Sequence, residues 1–579
     1  LTARTKRWEI YPRSPEAHFE NFPDLQPLIV QILYNRGIYE EAEVYEFLSG
    51  DRPQALQSPE QMKGVLAAVE RILQAISVGE NIVVYGDYDA DGVTATVLMV
   101  QALRSLGGRV KPYIPDRFEE GYGLNKQAIT DLADEEASLV ITVDCGIRSV
   151  DEVTYGNELG LSFIITDHHR VSKDEGGQDI IPPAAAVINP KQMDCDYPFK
   201  ELAGVGIAFK VVQALKLAVS SADTRQPGLA EEDLLDLVAI GTVADMAPLI
   251  GENRVLVKRG LVYINDPQRV GLRALIEQSR LNLGGITAGS IGFIIGPRLN
   301  AAGRLTHAQL AYKLLSTKDP LEAYQLAETL SQINYERQQM TQTFVDQARE
   351  QILADDELAP LYLIIDPNFN HGVVGLVASR LTDEFYRPML VAQRGNTHTK
   401  GSGRSISEFD ITAALDQCAE LLVKYGGHAA AAGFTIENRN LVAFQARLTE
   451  IAREQLADKL LRKTLSIDAE INLRGVTYRL VKDIQDLQPF GYNNPTPRFM
   501  TKGLLVKHQT VVGRDGGHLK LKLFDGKRVW DAIGFGMGYI WPPQIKLTKV
   551  DAVYNLEFNT WNGQTSLQLN LKDLKPCQV

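Results

Sequence analysis

Cysteine is scarce, with four residues in 579, at Cys145, Cys195, Cys418 and Cys577. No two form a CxxC pair, which argues against a zinc site or a disulfide framework and fits a reducing cytoplasm. Apolar runs are short. None approaches the roughly 18 residues expected of a bilayer-spanning helix, and no secretory pattern opens the chain. It begins with Leu1 rather than Met, which leaves room for residues ahead of it. Net positive charge is missing too. At −12, the overall balance by itself argues against a nucleic-acid partner. What remains is an ordinary globular composition, 45% apolar and 23% charged, at a length that implies about three or four domains.

The densest chemistry lies at 81–94, NIVVYGDYDADGVT. Ile82 to Tyr85 is a β-branched, apolar run that reads as a buried strand. Three aspartates follow at alternate positions, Asp87, Asp89 and Asp91, before Gly92 and a helical stretch from Val93 to Leu106. Ligands of open α/β sheets bind beyond the carboxyl ends of strands. Three carboxylates there repel one another and are costly to bury unpaired, and a divalent cation such as Mg²⁺ or Mn²⁺ is the simplest compensation. A calcium loop of the EF-hand type fits poorly. Its twelfth position needs a bidentate glutamate, and here that position is Leu98. The strand-end nucleophile motif of haloacid-dehalogenase-like phosphatases matches Asp89-Ala-Asp91-Gly-Val, but Gly86-Asp87 interrupts the strand. A capping turn accounts for one or two aspartates, not for three.

From residue 81 strands and helices alternate, the signature of a parallel sheet. An amphipathic helix at 61–79 precedes the series, with Val65, Ala68, Val69, Ile72 and Ile76 on one face. A strand at 109–114 leads into a glycine-bearing loop with Arg117 and Tyr122, which on its residues alone reads as plain surface. The strand Leu139–Val143 ends at Asp144, and Phe163–Thr166 ends at Asp167-His168-His169. Two adjacent histidines cannot both face one metal from a regular strand; one is a ligand and the other contacts substrate or supports a ligand. A helical stretch, Leu234 to Ile240, runs into Asp245 among apolar neighbours. The summed set is Asp87, Asp89, Asp144, His168 and Asp245. It is too large for one catalytic ion and suits two, about 3.5–4 Å apart, acting on a phosphodiester.

In order, GDYDADGVTAT, VDCGI, TDHH and GTVADMAPL resemble the four motifs of the DHH phosphoesterase superfamily, named for the triplet found here as Asp167-His168-His169. Gly426-Gly427-His428-Ala-Ala-Ala-Ala-Gly433 resembles the glycine-histidine motif of the accompanying DHHA1 domain. RFEEGYGLN, GPRLNAAGR, NYERQQMT, HGVVGLVASRL, GSGRS and QPFGYNNPTPRF narrow the resemblance to the RecJ family of bacterial single-strand-specific 5′→3′ DNA exonucleases; the likeness runs from about residue 80 to 575. It implies two divalent cations, Mn²⁺ or Mg²⁺. Asp87 and Asp144 would hold one. Asp89, Asp144, His168 and Asp245 would hold the other, with Asp144 bridging. His169 would contact the scissile phosphate or orient a ligand, and Asp91 would support the ligands without touching metal. Tyr85 stands where some relatives carry a histidine, which would leave the first ion leaning on water. The resemblance also implies release of 5′-mononucleotides from single-stranded DNA in repair and recombination. It suggests a single-strand-binding protein and a RecQ-type helicase as partners, and the chain is read as a monomer.

The expected architecture is α/β. An N-terminal segment (1–60) precedes a parallel-sheet DHH domain (61–307). Connecting helices (308–355), a smaller α/β DHHA1 domain (356–460) and an all-β OB-like barrel (464–579) follow. Arg4, Lys6, Arg7 and Trp8 form a basic arm, most simply solvated. A helix starting at Asp319-Pro320 runs to Ile352, about 34 residues or roughly 50 Å. Gly401-Ser402-Gly403-Arg404-Ser405 reads as a loop with exposed backbone N–H groups and a guanidinium, an anion cradle. The resemblance implies that Ser402, Arg404, Arg117 and Arg304 grip the 5′-terminal phosphate. Gly427 and His428 look like substrate-binding groups, since glycine allows close backbone approach. After 464 the pattern alternates like strands, with turns at Asp515-Gly-Gly and Asn562-Gly. Residues 471–530 carry 11 Lys/Arg against 4 Asp/Glu, interleaved with Tyr478, Phe490, Tyr492, Phe499, Phe524 and Trp530. Such a patch holds single strands without sequence preference. A DHH phosphodiesterase of very short oligonucleotides or cyclic dinucleotides is the alternative, and this basic segment argues against it. A non-enzymatic scaffold would have lost ligands, whereas every expected carboxylate and His168 is present.

Overall fold

The computed structural model describes residues 6–50, 56–117, 119–221, 230–354, 357–561 and 563–577; Arg4, Phe118 and Asn562 lie outside them. The described residues form two compact units. One comprises 42–335 and 487–496, the other 1–41, 336–486 and 497–579.

The first unit is built on a parallel sheet. Helix α1 (Val65–Val78) leads to β1 (Asn81–Gly86), α2 (Ala90–Ser105), β2 (Arg109–Tyr113), β3 (Leu139–Val143), β4 (Ser162–Thr166) and β5 (Ala186–Ile188). The strand order is β2-β1-β3-β4-β5, with every pair parallel. Alternate residues of β1 serve two cores. Ile82 and Val84 pack with Val93, Leu98 and Leu103 of α2, while Val83 and Tyr85 pack with Leu124, Ile129 and Phe163 on the other face. Burial on both faces is why these strands read as unbroken apolar runs. The order reverses beside β1, so a crevice opens beyond the carboxyl ends of β1 and β3. Helices α3 (Gly204–Ser221), α4 (Leu235–Ala244) and α5 (Gly296–Leu305) are among the helices packed in this unit. Tyr85 faces the sheet's core. It is buried in the core, stacked on Tyr113, and its hydroxyl donates to Gly123 O.

Helix α6 (Pro320–Leu353) is continuous over 34 residues. Ala323, Ala327 and Leu330 join the core of the first unit, and Val345, Ala348 and Ile352 join a core of the second. In the second unit β6 (Tyr362–Asp366), α7 (Val374–Phe385), β7 (Met389–Arg394), β8 (His398–Arg404), β9 (Leu422–His428) and β10 (Ala431–Glu437) form a sheet in the order β9-β10-β8-β7-β6. The expectation of a glycine-rich cradle at 401–405 fails here. Ser402 lies within β8, laddered to Val391 on one side and Gly433 on the other, so the backbone groups serve the sheet. The glycines admit neighbours: a Cβ on Gly401 would meet the Phe434 ring at 2.4 Å, and one on Gly403 would meet Ile411 at 2.3 Å.

Among the described residues of the basic arm, Lys6 and Trp8 are half-buried and held by the rest of the unit, while Arg7 is exposed. Arg7–Ile10 pairs in parallel with Thr464–Ile467, Trp8 Nε1 donates to Asp573 Oδ2 at 2.7 Å, and Lys6 Nζ donates to Lys572 O. A helix absent from the strand-only reading, α8 (Tyr478–Gln485), is capped by Thr477 and buries Leu480, Val481 and Ile484. The barrel follows: β11 (Phe499–Val512), β12 (His518–Phe524), β13 (Val529–Gly534), β14 (Lys549–Trp561) and β15 (Gln564–Pro576), closed by pairing of β11 with β14. Two register shifts in β11, between Thr501 and Leu504 and between Val506 and His508, let one strand bend and pair on both sides. Phe499 and Trp530 are barrel core. Phe490 and Tyr492 sit on 487–496, which packs with the first unit: Leu249 N donates to Tyr492 O, and Arg254 donates to Leu487 O. No described helix is long and apolar enough to cross a membrane.

Candidate metal centre

Each acidic group is placed by the end of an element. Asp87 follows β1, and the backbone turns back over it so closely that a Cβ on Gly92 would lie 2.6 Å from Asp87 Cβ. Asp89 is the N-cap of α2, its Oδ1 accepting from Asp91 N and Gly92 N. Asp144 follows β3 with φ +63°, a left-handed conformation that non-glycine residues adopt at a cost. A Cβ on Gly204 would meet Asp144 Oδ1 at 2.6 Å, so the start of α3 is bare where that carboxylate lies. Asp91 accepts from Gly204 N at 2.7 Å and Val205 N at 2.8 Å. It serves the N-terminus of α3, where a carboxylate complements unpaired N–H groups. Asp245 is the C-cap of α4.

These side chains converge. Ligand atoms of Asp87, Asp89 and Asp144 lie within 4.8 Å of one another, as do those of Asp144, His168 and His169, and those of Asp91, His168 and Asp245. His168 Nε2 is 3.1 Å from Asp144 Oδ1 and 3.8 Å from Asp245 Oδ2. Asp87 Oδ1, Asp144 Oδ1 and His168 Nε2 are buried, and among the described residues none has a hydrogen-bond partner. Buried polar atoms are seldom left so, and a carboxylate-imidazole set suits divalent cations.

Charge tells the same story. Burial pushes Asp87 and Asp144 well above the usual carboxylate range, and the neighbouring aspartates add to it. Asp245 is raised by burial and by Asp91. Burial, then Asp89, carry Asp91 up to about 7. The two histidines diverge. Burial, helped by the charge of His169, lowers His168 to about 3, so it is a neutral imidazole. Burial works against charge on His169 too, but its hydrogen bond to Asp167 and the Asp167 charge raise it to about 9. Asp167 Oδ1 accepts from His169 Nδ1 at 2.7 Å and from His169 N, and its Oδ2 accepts from Ile147 N. Although buried, Asp167 is thereby lowered to about 2.

The sequence reading missed several contributors. Tyr122, in the loop read as plain surface, brings its hydroxyl 3.1 Å from His169 Nδ1. Asn300 Oδ1 accepts from Ala90 N at 2.7 Å, tying α5 to the acidic loop. Gly204 and Gly241 make room, the latter for Asp91 and Thr94. The GPRLNAAGR stretch was a visible signal for Asn300; nothing local marked the two glycines.

The expected phosphate-binding residues divide between the units. In the first, the Arg117 guanidinium lies 4.9 Å from the Tyr88 ring centroid, and Arg304 is in the last turn of α5. In the second, Arg404 donates to Ser402 Oγ at 2.8 Å, beside Gly375 in the first turn of α7, where a Cβ would be 3.2 Å from both side chains. Gly427 and His428 are in β9. A Cβ on Gly427 would meet Ala431 O at 2.2 Å, so this glycine admits its own hairpin partner.

Residues 81–242 match the DHH family, N-terminal domain; 358–454 match the DHHA1 domain; 467–573 match the RecJ OB domain. The single-stranded-DNA-specific exonuclease RecJ of Bacillus subtilis (strain 168) is 36% identical over 578 residues, 99% of this chain and 71% of that protein. Its namesake from Escherichia coli (strain K12) is 35% identical over 572 residues, 96% of each. A crystal structure of RecJ in complex with Mn²⁺ from Thermus thermophilus matches with a TM-score of 0.83 at 30% identity, covering 99% of this chain and 80% of that one.

Proposed function

The chain belongs to the RecJ family of single-stranded-DNA-specific exonucleases, and from that premise we propose that it digests single-stranded DNA from the 5′ end, releasing 5′-mononucleotides with two divalent cations, Mn²⁺ or Mg²⁺. The observation that carries this reading is the trio of buried, unpartnered atoms, Asp87 Oδ1, Asp144 Oδ1 and His168 Nε2, at the carboxyl ends of adjacent parallel strands. Asp87 and Asp144 would hold one cation, and Asp144, His168 and Asp245 the other; Asp89, which the resemblance assigns to the second, lies close enough to Asp87 and Asp144 to reach the first as well. When bound, such a pair supplies a hydroxide nucleophile at neutral pH and offsets charge on the attacking and leaving oxygens.

The chain's own groups do the rest. His168, kept neutral, offers a lone pair at Nε2. His169, kept protonated by Asp167, presents a cation to the scissile phosphate. Asp91 serves by position, because its carboxylate is engaged by the first N–H groups of α3. Arg404 and Ser402 combine a guanidinium and a hydroxyl beside Gly375, a natural site for the 5′-terminal phosphate. Arg117 and Arg304 would take phosphates of the strand on the first unit, and Gly427 and His428 would touch substrate on the second. The basic barrel would hold the strand further along.

The test is product analysis on a 30-nucleotide single strand labelled at either end, with Mn²⁺ and with EDTA. Metal-dependent release of 5′-mononucleotides from the 5′ end is expected. Cleavage confined to fragments of two to five nucleotides would replace this reading with the short-oligonucleotide phosphodiesterase.

A further inference from the structure

We propose that Phe293, presented to solvent by a π turn beside the metal centre, is a stacking platform for the bases of the single strand. The inference rests on the substrate proposed above and assigns a residue that helps select it.

Residues Ile291–Ile295 form one π-helical turn ahead of α5. Ile291 and Ile295 are fully buried, yet Phe293 between them is 84% exposed. Leaving a phenylalanine in water forgoes most of its burial energy. A π turn gives up regular hydrogen bonding and is frequently found at functional sites. Here the distortion is braced: Arg298 donates to Ile294 O at 2.8 Å.

The turn's position gives the exposure meaning. The Cβ positions of Gly292 and Gly296 lie 3.6 Å from Val243 and 3.2 Å from Ala244, so the turn rests on the last turn of α4, which Asp245 caps. Further along the same helical run, Asn300 binds Ala90 N, and Gly303 packs against Tyr88 O. One run thus braces both the Asp245 end and the Asp87–Asp91 loop, with Phe293 at the Asp245 end. Met246, next to that ligand, is 68% exposed and held at φ +60°. Two exposed apolar side chains thus lie at this end of α4, Phe293 on the turn that rests on it and Met246 next to Asp245 in the chain, and Arg304 lies on the same run as Phe293. Apolar faces with guanidinium groups nearby suit a strand of nucleotides, whose bases stack while its phosphates seek cations. In a duplex the base faces are already stacked, so Phe293 finds a free face only on single strands.

The experiment uses the full chain in EDTA and 5′-phosphorylated 12-nucleotide strands, each with one abasic residue at successive positions. Binding is read by fluorescence anisotropy for the natural protein, Phe293→Ala and Phe293→Tyr. In the natural protein an abasic residue at one or two positions should weaken binding about tenfold, the scale of one base–aromatic stack. Phe293→Ala should bind the intact strand about tenfold more weakly and be indifferent to the abasic residue at those positions. Phe293→Tyr should restore the natural profile. Because the side chain is exposed, the melting temperature should not move. Unchanged affinity of Phe293→Ala, or an abasic profile matching the natural protein's, overturns this inference alone. Failure of the natural protein to bind any of the strands would instead overturn the substrate reading on which it rests.

Discussion

Asp144 concentrates the strain of the site. It is held at a left-handed backbone angle, its Oδ1 is buried without a hydrogen-bond partner, and Gly204 leaves it room. Asp144→Ala should therefore abolish hydrolysis while leaving single-strand binding in EDTA nearly intact; surviving cleavage would remove Asp144 from the metal set. Gly204→Ala pushes on the same carboxylate from the other side. It should weaken Mn²⁺ binding about 10- to 100-fold, the range for groups that support metal ligands, measured by calorimetric titration. The clustered aspartates also give a pH signature. Asp91 lies at about 7, and Asp87, Asp144 and Asp245 are also raised. A carboxyl whose folded pKa exceeds its unfolded value of about 4 contributes stability at low pH that is lost as pH rises through the folded value. A bound cation cancels that loss by displacing the protons. The rise in melting temperature on adding Mn²⁺ to metal-free protein should thus be larger at pH 8 than at pH 6. An equal rise at both would contradict the assignment.

At the scale of elements, the short apolar strands were legible and the glycine-rich strand was not. β1, β3 and β4 announce themselves because a strand buried on both faces must be apolar throughout, and the first acid marks its end. β8 carries Gly401, Ser402, Gly403 and Arg404, a composition that reads as a loop. Its glycines are set by the Phe434 and Ile411 side chains pressed against them, which no local pattern reveals. The anion-binding role proposed for this segment therefore passes from loop N–H groups to the Ser402 and Arg404 side chains. Arg404→Ala should cost about 2 kcal/mol of binding, as expected for a hydrogen bond to a charged group. That is roughly 30-fold on 5′-phosphorylated strands and much less on 5′-hydroxyl strands. Equal loss on both, in competition binding, would move the clamp elsewhere. Helix α6 was legible from its Asp319-Pro320 start because length and capping are local properties.

Across the whole molecule, an acidic chain carries a basic segment at 471–530. Arg514 and Lys520 are exposed, at the turn before β12 and on that strand. Replacing both with alanine should lower the slope of log affinity against log salt by roughly 0.7 for each phosphate that is no longer neutralised. An unchanged slope would leave the barrel a structural role. The path of the chain also limits how the molecule can be cut. Residues 487–496 pack with the first unit, and Arg7–Ile10 pairs with Thr464–Ile467. Removing everything after 464 would strip packing from both units rather than release a free-standing barrel.

The sequence by itself determined the chemistry and its address: acids and histidines at the ends of apolar runs, in an order that matches one family. Strand ends are written locally, in hydrophobicity and period. Tertiary structure alone decided what each acid meets. Asp91 follows the same alternation as Asp87 and Asp89 in the sequence, but its carboxylate accepts from the N-terminus of α3, 113 residues away. Tyr122 and Asn300 enter the site, and Tyr85 is held in the core, through hydrogen bonds between distant segments. Hydrogen bonding and packing between such segments depend on how the elements meet, and no periodicity within either segment records that meeting.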